Sequence, residues 1–331
     1  MQSNSSRVVI LGTGGTIAGT AASAADPVGY TAAQLGVAQL VAAVPELAGV
    51  ALEAEQLAQL DSKDMDHASW QALARRVAQQ LGRPEVAGIV VTHGTDTLEE
   101  TAWFLQRVLA PRKPVVLCAA MRPATALSPD GPPNLRDAVQ VAREPGARGV
   151  LAVLAGRVHG AAEVQKLHTY RLDAFDSGEA GPIACVEASR LRLLRPWPDG
   201  EALGLEPLHP DPAQWPRVEI VTSHAGAGGA IVEALCAQGV DGLVVAASGN
   251  GTVHRALEAA LLEAQRQGVA VLRATRCAFG HVIALPGQAL PDAGGLSPVK
   301  ARVELLLRLL RARVLSRAAA PPRTGRAAPR T

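Results

Sequence analysis

A chain of 331 residues with 48% hydrophobic and only 3% aromatic side chains can bury a large core of Val, Leu, Ile and Ala, and has the length of two domains. Its formal charge of +2 is uneven: Arg311, Arg313, Arg317, Arg323, Arg326 and Arg330 crowd one end without an acid, and the rest of the chain stands at −4. A mildly acidic body, an Arg-rich end without aromatics and no apolar run near the roughly eighteen residues of a membrane span argue against nucleic-acid-binding and membrane proteins.

From the amino end, apolar β-branched runs alternate with helix-like stretches. Strands are predicted at 8–11, 87–92, 114–119 and 149–154, then at 218–222, 242–246 and 269–274. Helices are predicted at 31–44, 68–81, 97–109, 135–143, 229–238, 253–267 and 298–314, with Asn134 as an N-cap and Gly239 and Gly268 as stops. This alternation predicts an α/β fold whose parallel sheets are covered by helices on both faces. Prolines at 196, 198, 207, 210, 212 and 216 forbid a central strand between them. The expected organisation is a larger parallel-sheet domain over 1–194, a Pro-rich linker over 195–216, a smaller α/β domain over 217–315, and a basic, disordered tail over 316–331.

The opening MQSNSSRVVILG lacks a signal-peptide layout, so a cytoplasmic protein is expected. Cys118, Cys185, Cys236 and Cys277 form no CxxC pair and read as reduced thiols, without a disulfide framework or zinc site.

Two threonine loops follow the first two predicted strands: GTGGTIAG at 12–19 and THGTDT at 92–97. The carboxyl ends of parallel strands are where open sheets bind ligands, and glycines let backbone N–H groups approach a substrate. The first loop fails as a dinucleotide fingerprint, because Ile17 stands where the third glycine belongs; no Gly-Lys-Ser/Thr follows for a P-loop either. Ala247-Ser248-Gly249 does not complete a G-x-S-x-G elbow. No cofactor and no metal are therefore expected.

Hydrolysis suits the residue types better, since a Thr hydroxyl attacks once a neighbour takes its proton. Tyr30, Lys166 and Asp96 are the candidate helpers. Tyr30 closes a small-residue stretch at 19–29 that would behave as a lid, or else it packs at a helix start. Asp96 meets a substrate or simply caps the helix behind it. His93 reads as structural.

The segments VVILGTGGTIAGT and VVTHGTDTLEETAWFL resemble the two signature loops of bacterial L-asparaginases, in the asparaginase–glutaminase superfamily. The resemblance continues through GYTAAQLGVAQLVAAVPEL, DSKDM, CAAMRPATALSPDGPPNLRDAV, EVQKLHTYRLDAF and LSPVKARVELLL, nearly to Val314. It implies a two-domain α/β homo-oligomer, commonly a dimer of dimers, that hydrolyses L-asparagine to L-aspartate and ammonia. By that resemblance Thr16 matches the primary nucleophile and Tyr30 the lid tyrosine, while Thr95, Asp96 and Lys166 match a second Thr-Asp-Lys set. Ser62 matches a ligand of the substrate α-carboxylate, Asp96 also holds the α-ammonium, and Ala120 matches a residue whose carbonyl faces the scissile amide. Backbone N–H groups around Gly94 and Thr95 are candidates to bind the substrate and its oxyanion. The implied route is a double displacement through a β-aspartyl ester, with the identity of the first attacking threonine open.

Three positions depart from the family pattern. Lys63 stands where relatives often carry Gln, and either attracts the substrate carboxylate or points to solvent. Periplasmic-type relatives borrow an acid from a neighbouring subunit, whereas 277–296 here holds only Asp292. Thr252 aligns where relatives carry Asn or Ser. Two other functions remain in view. A glutaminase-asparaginase, or another small ω-amide hydrolase, differs by one methylene of substrate, worth only about 1–3 kcal/mol in a pocket. A non-enzymatic sensor of the same fold predicts damage among Thr16, Thr95, Asp96 and Lys166, and all four are intact.

Overall fold

The computed structural model describes residues 6–25 and 29–319. In chain order the strands are β1 (Arg7–Gly14), β2 (Thr20–Ala21), β3 (Tyr30–Thr31), β4 (Leu52–Leu60), β5 (Val86–Thr92), β6 (Val115–Cys118), β7 (Val150–Leu154), β8 (Arg157–Gly160), β9 (Gln165–Lys166), β10 (Phe175–Asp176), β11 (Ala184–Glu187) and β12 (Arg190–Leu193). A second set follows: β13 (Val218–Thr222), β14 (Gly242–Ala247) and β15 (Ala270–Thr275). The helices are α1 (Val37–Ala42), α2 (His67–Leu81), α3 (Leu98–Leu109), α4 (Gly131–Ala142), α5 (Ala230–Ala237), α6 (Arg255–Arg266) and α7 (Pro298–Ala319).

Among the described residues, one eight-stranded sheet runs β12-β11-β8-β7-β6-β5-β1-β4 and a three-stranded sheet runs β13-β14-β15. The small sheet and the β4-β1-β5-β6-β7 part of the large one are parallel; β8, β11 and β12 add an antiparallel edge. The α/β class is as the sequence predicts, with the large sheet mixed rather than wholly parallel. Alternation along the buried strands decides which helices lie on which face. Val8, Ile10, Val90, Val116 and Leu151 share a core with α1 and α4, whereas Val9, Leu11, Ile89, Val91, Leu117 and Ala152 share one with α2, α3 and α7. Trp70 stacks on Phe104 at 4.9 Å in the second of these.

Three local readings need correction. The predicted helix at 31–44 is only Val37–Ala42. Ala33 turns into the left-handed region at φ 57°, the Gln34 and Leu35 N–H groups donate to Ala18, and Gly36 starts the helix. Asn134 is no N-cap, because α4 begins at Gly131. Pro132 and Pro133 sit in its first turn, where missing N–H groups cost nothing. The 316–331 tail begins too early, since α7 runs to Ala319. Ser316 to Ala319 contain no breaker, and the next proline in the chain is Pro321; residues 320–331 lie outside the described ones, as do 26–28 of the expected lid. The Pro-rich stretch 195–216 is itself packed. Leu208 and Trp215 are buried, and Gln71 Nε2 donates to the carbonyls of Leu208 and Pro210.

Helix α7 ties the two sheets together. Ala301, Val303, Leu305, Leu306, Leu307 and Leu310 are buried in the core that also holds Val244 and Leu272 of the small sheet and Phe104 of α3. A helix apolar on several faces is one covered on several sides. The other face of the small sheet is closed by α5 and α6 through Val221, Val232, Val245, Leu257 and Leu261.

Candidate active site

Strand order brings the threonine loops together. Gly12 of β1 pairs with Thr92 of β5, so both loops leave the sheet at one level. Gly14 pairs with Leu60 at the end of β4, delivering Ser62 beside them, and Thr92 pairs with Cys118 of β6, delivering Ala120. The chain adds β4 on one flank of β1 and β5 on the other, which makes this edge a topological switch point, where open α/β sheets bind ligands.

Two glycines permit the closeness. Gly15 has φ +82°, and a Cβ on it would lie 2.4 Å from Cα of Gly94. A Cβ on Gly94 would lie 2.4 Å from Ser62 Oγ. Side chains here would wedge the loops apart.

Thr16 is buried in the turn after β1, and its Oγ1 lies 2.7 Å from the Tyr30 hydroxyl. Tyr30 is carried by β3, which folds back antiparallel onto β2. Thr95 is also buried, and its Oγ1 accepts a hydrogen bond from Lys166 Nζ at 2.9 Å. The same ammonium donates to Asp96 Oδ1 at 2.6 Å. Lys166 comes from β9, paired with Phe175 of β10. The Asp96 side chain is 54% exposed, so it offers carboxylate surface outward. Its N–H donates to Ser62 Oγ at 3.1 Å, and the Thr97 hydroxyl donates to the Ser62 carbonyl at 2.8 Å. Ser62 is thus fastened to the second loop at both backbone and side chain.

The walls are held by groups to which the sequence reading gave no part in the chemistry. Asp130 accepts the Met121 and Arg122 N–H groups, each at 2.9 Å, and Asn134 Nδ2 donates to the Ala119 carbonyl at 2.9 Å. Asn134 Oδ1 also accepts from Ala155 N–H at 2.9 Å, linking the β6 and β7 ends. Gly131 sits between Ile17 and Ala120, so the buried Ala120 backs onto the Thr16 turn. His93 is fully buried with Nδ1 2.7 Å from the Gly94 carbonyl. Burial pushes its pKa down to about 4, so the ring is neutral and donates from Nδ1.

Lys63 is drawn elsewhere. Its ammonium lies 3.1 Å from Asp61 and 2.8 Å from Asp64, with the side chain 60% exposed. Thr252 donates to the Ser248 carbonyl at 3.0 Å, and Asp292 accepts Gly294 N–H at 2.9 Å, so both are engaged within the second unit.

A further shell lies behind Lys166. Its N–H donates to Glu99 Oε1 at 3.4 Å, and the Ser297 hydroxyl donates to the other oxygen of Glu99 at 3.4 Å. Lys300 Nζ donates to the Ala162 carbonyl at 2.8 Å and to that of Val164. One sequence signal was available. Lys300 lies three, four and seven residues before Val303, Glu304 and Leu307, which puts a lysine on a largely apolar stripe.

Two family matches span the chain. Residues 7–198 match Asparaginase, N-terminal, and residues 217–317 match the Glutaminase/Asparaginase C-terminal domain. The chain is 38% identical over 309 residues to L-asparaginase 2 of Bacillus subtilis (strain 168), covering 91% of this chain and 81% of that protein. It is 37% identical over 312 residues to the glutaminase-asparaginase of Pseudomonas fluorescens biotype A, covering 91% and 86%. The crystal structure of a probable cytoplasmic L-asparaginase from Campylobacter jejuni matches with a TM-score of 0.87 at 35% identity, over 94% of this chain and 98% of that one. Switch-point loops, paired hydroxyls and matches in both halves lead to one conclusion: the chain belongs to the asparaginase–glutaminase family.

Proposed function

We propose that the protein hydrolyses the side-chain amide of L-asparagine, giving L-aspartate and ammonia through a threonine ester. The observation that carries this reading is the pair of buried hydroxyls on adjoining loops, Thr16 against Tyr30 at 2.7 Å and Thr95 against Lys166 at 2.9 Å. Thr16 Oγ1 adds to the amide carbon while its proton passes to the Tyr30 hydroxyl, which hands its own proton on towards the leaving nitrogen. The C–N bond then breaks, and the nitrogen takes up a proton and leaves as ammonia. Water adds to the resulting β-aspartyl ester, releases aspartate and restores the Thr16 hydroxyl. Thr95 and Lys166 form the second pair, a hydroxyl with an ammonium, which moves a proton at the reacting centre and steadies its negative charge, and backbone N–H groups around Gly94 and Thr95 hold the oxyanion.

Binding follows from the charges of an amino-acid zwitterion. Asp96 takes the α-ammonium, Ser62 the α-carboxylate, and the Ala120 carbonyl faces the scissile amide. Glutamine is the second candidate substrate, supported by the glutaminase-asparaginase relative at 37% identity. A cytoplasmic setting is supported by the name of the C. jejuni protein, and assembly as a dimer of dimers by the family resemblance. Ammonia release from both amides tests the substrate reading. Asparagine is expected to turn over, release from glutamine measures the breadth of the site, and no release from asparagine would overturn the reading.

A further inference from the structure

The first turn of α7 holds a lysine that local physics disfavours. Lys300 is the third residue of the helix, where the macrodipole opposes a cation, and its side chain is 0% exposed. Burial lowers its pKa to about 8. On the Val303–Leu307 stripe a methionine would pack without these penalties. A residue at odds with both dipole and desolvation is the kind of local conflict expected where a function is served.

Its partners say where. The ammonium binds the carbonyls of Ala162 and Val164, the residues that lead into β9 and Lys166. From the other side Glu99, in the first turn of α3, accepts the Lys166 N–H and the hydroxyl of Ser297, the residue before α7. The Glu99 and Lys300 charges also favour one another's ionised forms. Glu163, the other acid favouring that ammonium, is held by Arg195 at 3.2 Å.

We infer that Lys300 and Glu99 are positioning residues that fix the backbone of 162–166 and so aim the Lys166 ammonium at Thr95 and Asp96. The inference rests on the reading of Lys166 as part of the hydrolytic centre and extends it to the second unit, because α7 then supplies part of the scaffold of a centre built on the large sheet. Such centres tolerate errors of only about 0.5 Å, and a 1 Å displacement costs roughly 10²-fold in rate.

The test is steady-state ammonia release from asparagine by wild type, Lys300→Met, Lys166→Ala and the double variant, all verified as folded by circular dichroism. Lys300→Met is expected to lower kcat about 10- to 100-fold with KM changed less than about threefold. It should add nothing to the loss in Lys166→Ala, because both act through one ammonium. A merely structural role would give independent, multiplying losses, or a lower Tm alone. Wild-type kcat in Lys300→Met, or losses that multiply in the double variant, overturns the inference. Should Lys300→Met fail to fold, Glu99 decides. Glu99→Gln keeps an acceptor for the Lys166 N–H and should retain about tenfold more kcat than Glu99→Ala; equal kcat values would overturn the proposal. Full turnover in Lys166→Ala, or none in wild type, would instead remove the hydrolytic reading on which the inference stands.

Discussion

At Gly15 and Lys63 the immediate neighbours decide what a substitution does. A Cβ on Gly15 would overlap Gly94 at 2.4 Å, and φ +82° adds strain of its own. Gly15→Ala should cost about 2 kcal/mol or more of stability and most of the turnover, measured by urea unfolding and ammonia release. Lys63 already has two carboxylates, so Lys63→Gln should leave KM for asparagine within about twofold; a KM raised tenfold would mean the ammonium swings to the substrate. At this scale the sequence was most legible where chemistry is local. Thr16, Thr95 and Asp96 lie on short glycine loops with recognisable surroundings. Glu99 and Lys300 escaped because their partners stand far along the chain.

Elements were legible where a core enforces them. The buried strands at 86–92 and 242–247 lie where apolar, β-branched runs put them. Strand β4, LEAEQLAQL, was missed: its Glu, Gln and Ala have little strand preference, and it owes its form to pairing with β1 at the sheet edge. That omission matters, because β4 carries Ser62 to the site. The antiparallel strands β8, β11 and β12 are short and escaped for want of a long periodic signal. Asn134 was assigned to the wrong task, and its real one is measurable. It joins the Ala119 carbonyl, Asp130 and the Ala155 N–H, so Asn134→Ala should destabilise the fold by about 2–3 kcal/mol in urea unfolding. A loss below about 0.5 kcal/mol would show that water replaces these bonds.

For the whole molecule, two sheets share one core through α7, and we propose that 195–216 marks the boundary between the domains while bracing them. Buried histidines set the response to acid. Burial holds His93 and His159 at about 4 against an ordinary 6.5. Each therefore contributes stability that is complete above about pH 6.5 and is lost as pH falls toward 4. Glu100 acts in reverse, since burial lifts it to about 7 and its contribution fades as pH rises through that value. The variant difference isolates one group. In His159→Gln the stability change between pH 7.5 and pH 5 should shrink by about 2 kcal/mol relative to wild type, and an unaltered change would contradict the assignment. A single hydrolytic centre built from both threonine loops requires both hydroxyls. Its most direct test is ammonia release from asparagine by Thr16→Ala and Thr95→Ala, with asparagine binding checked by calorimetry. Each variant is predicted to bind asparagine but lose at least about 10³-fold in kcat; turnover within tenfold of wild type in either would contradict the account.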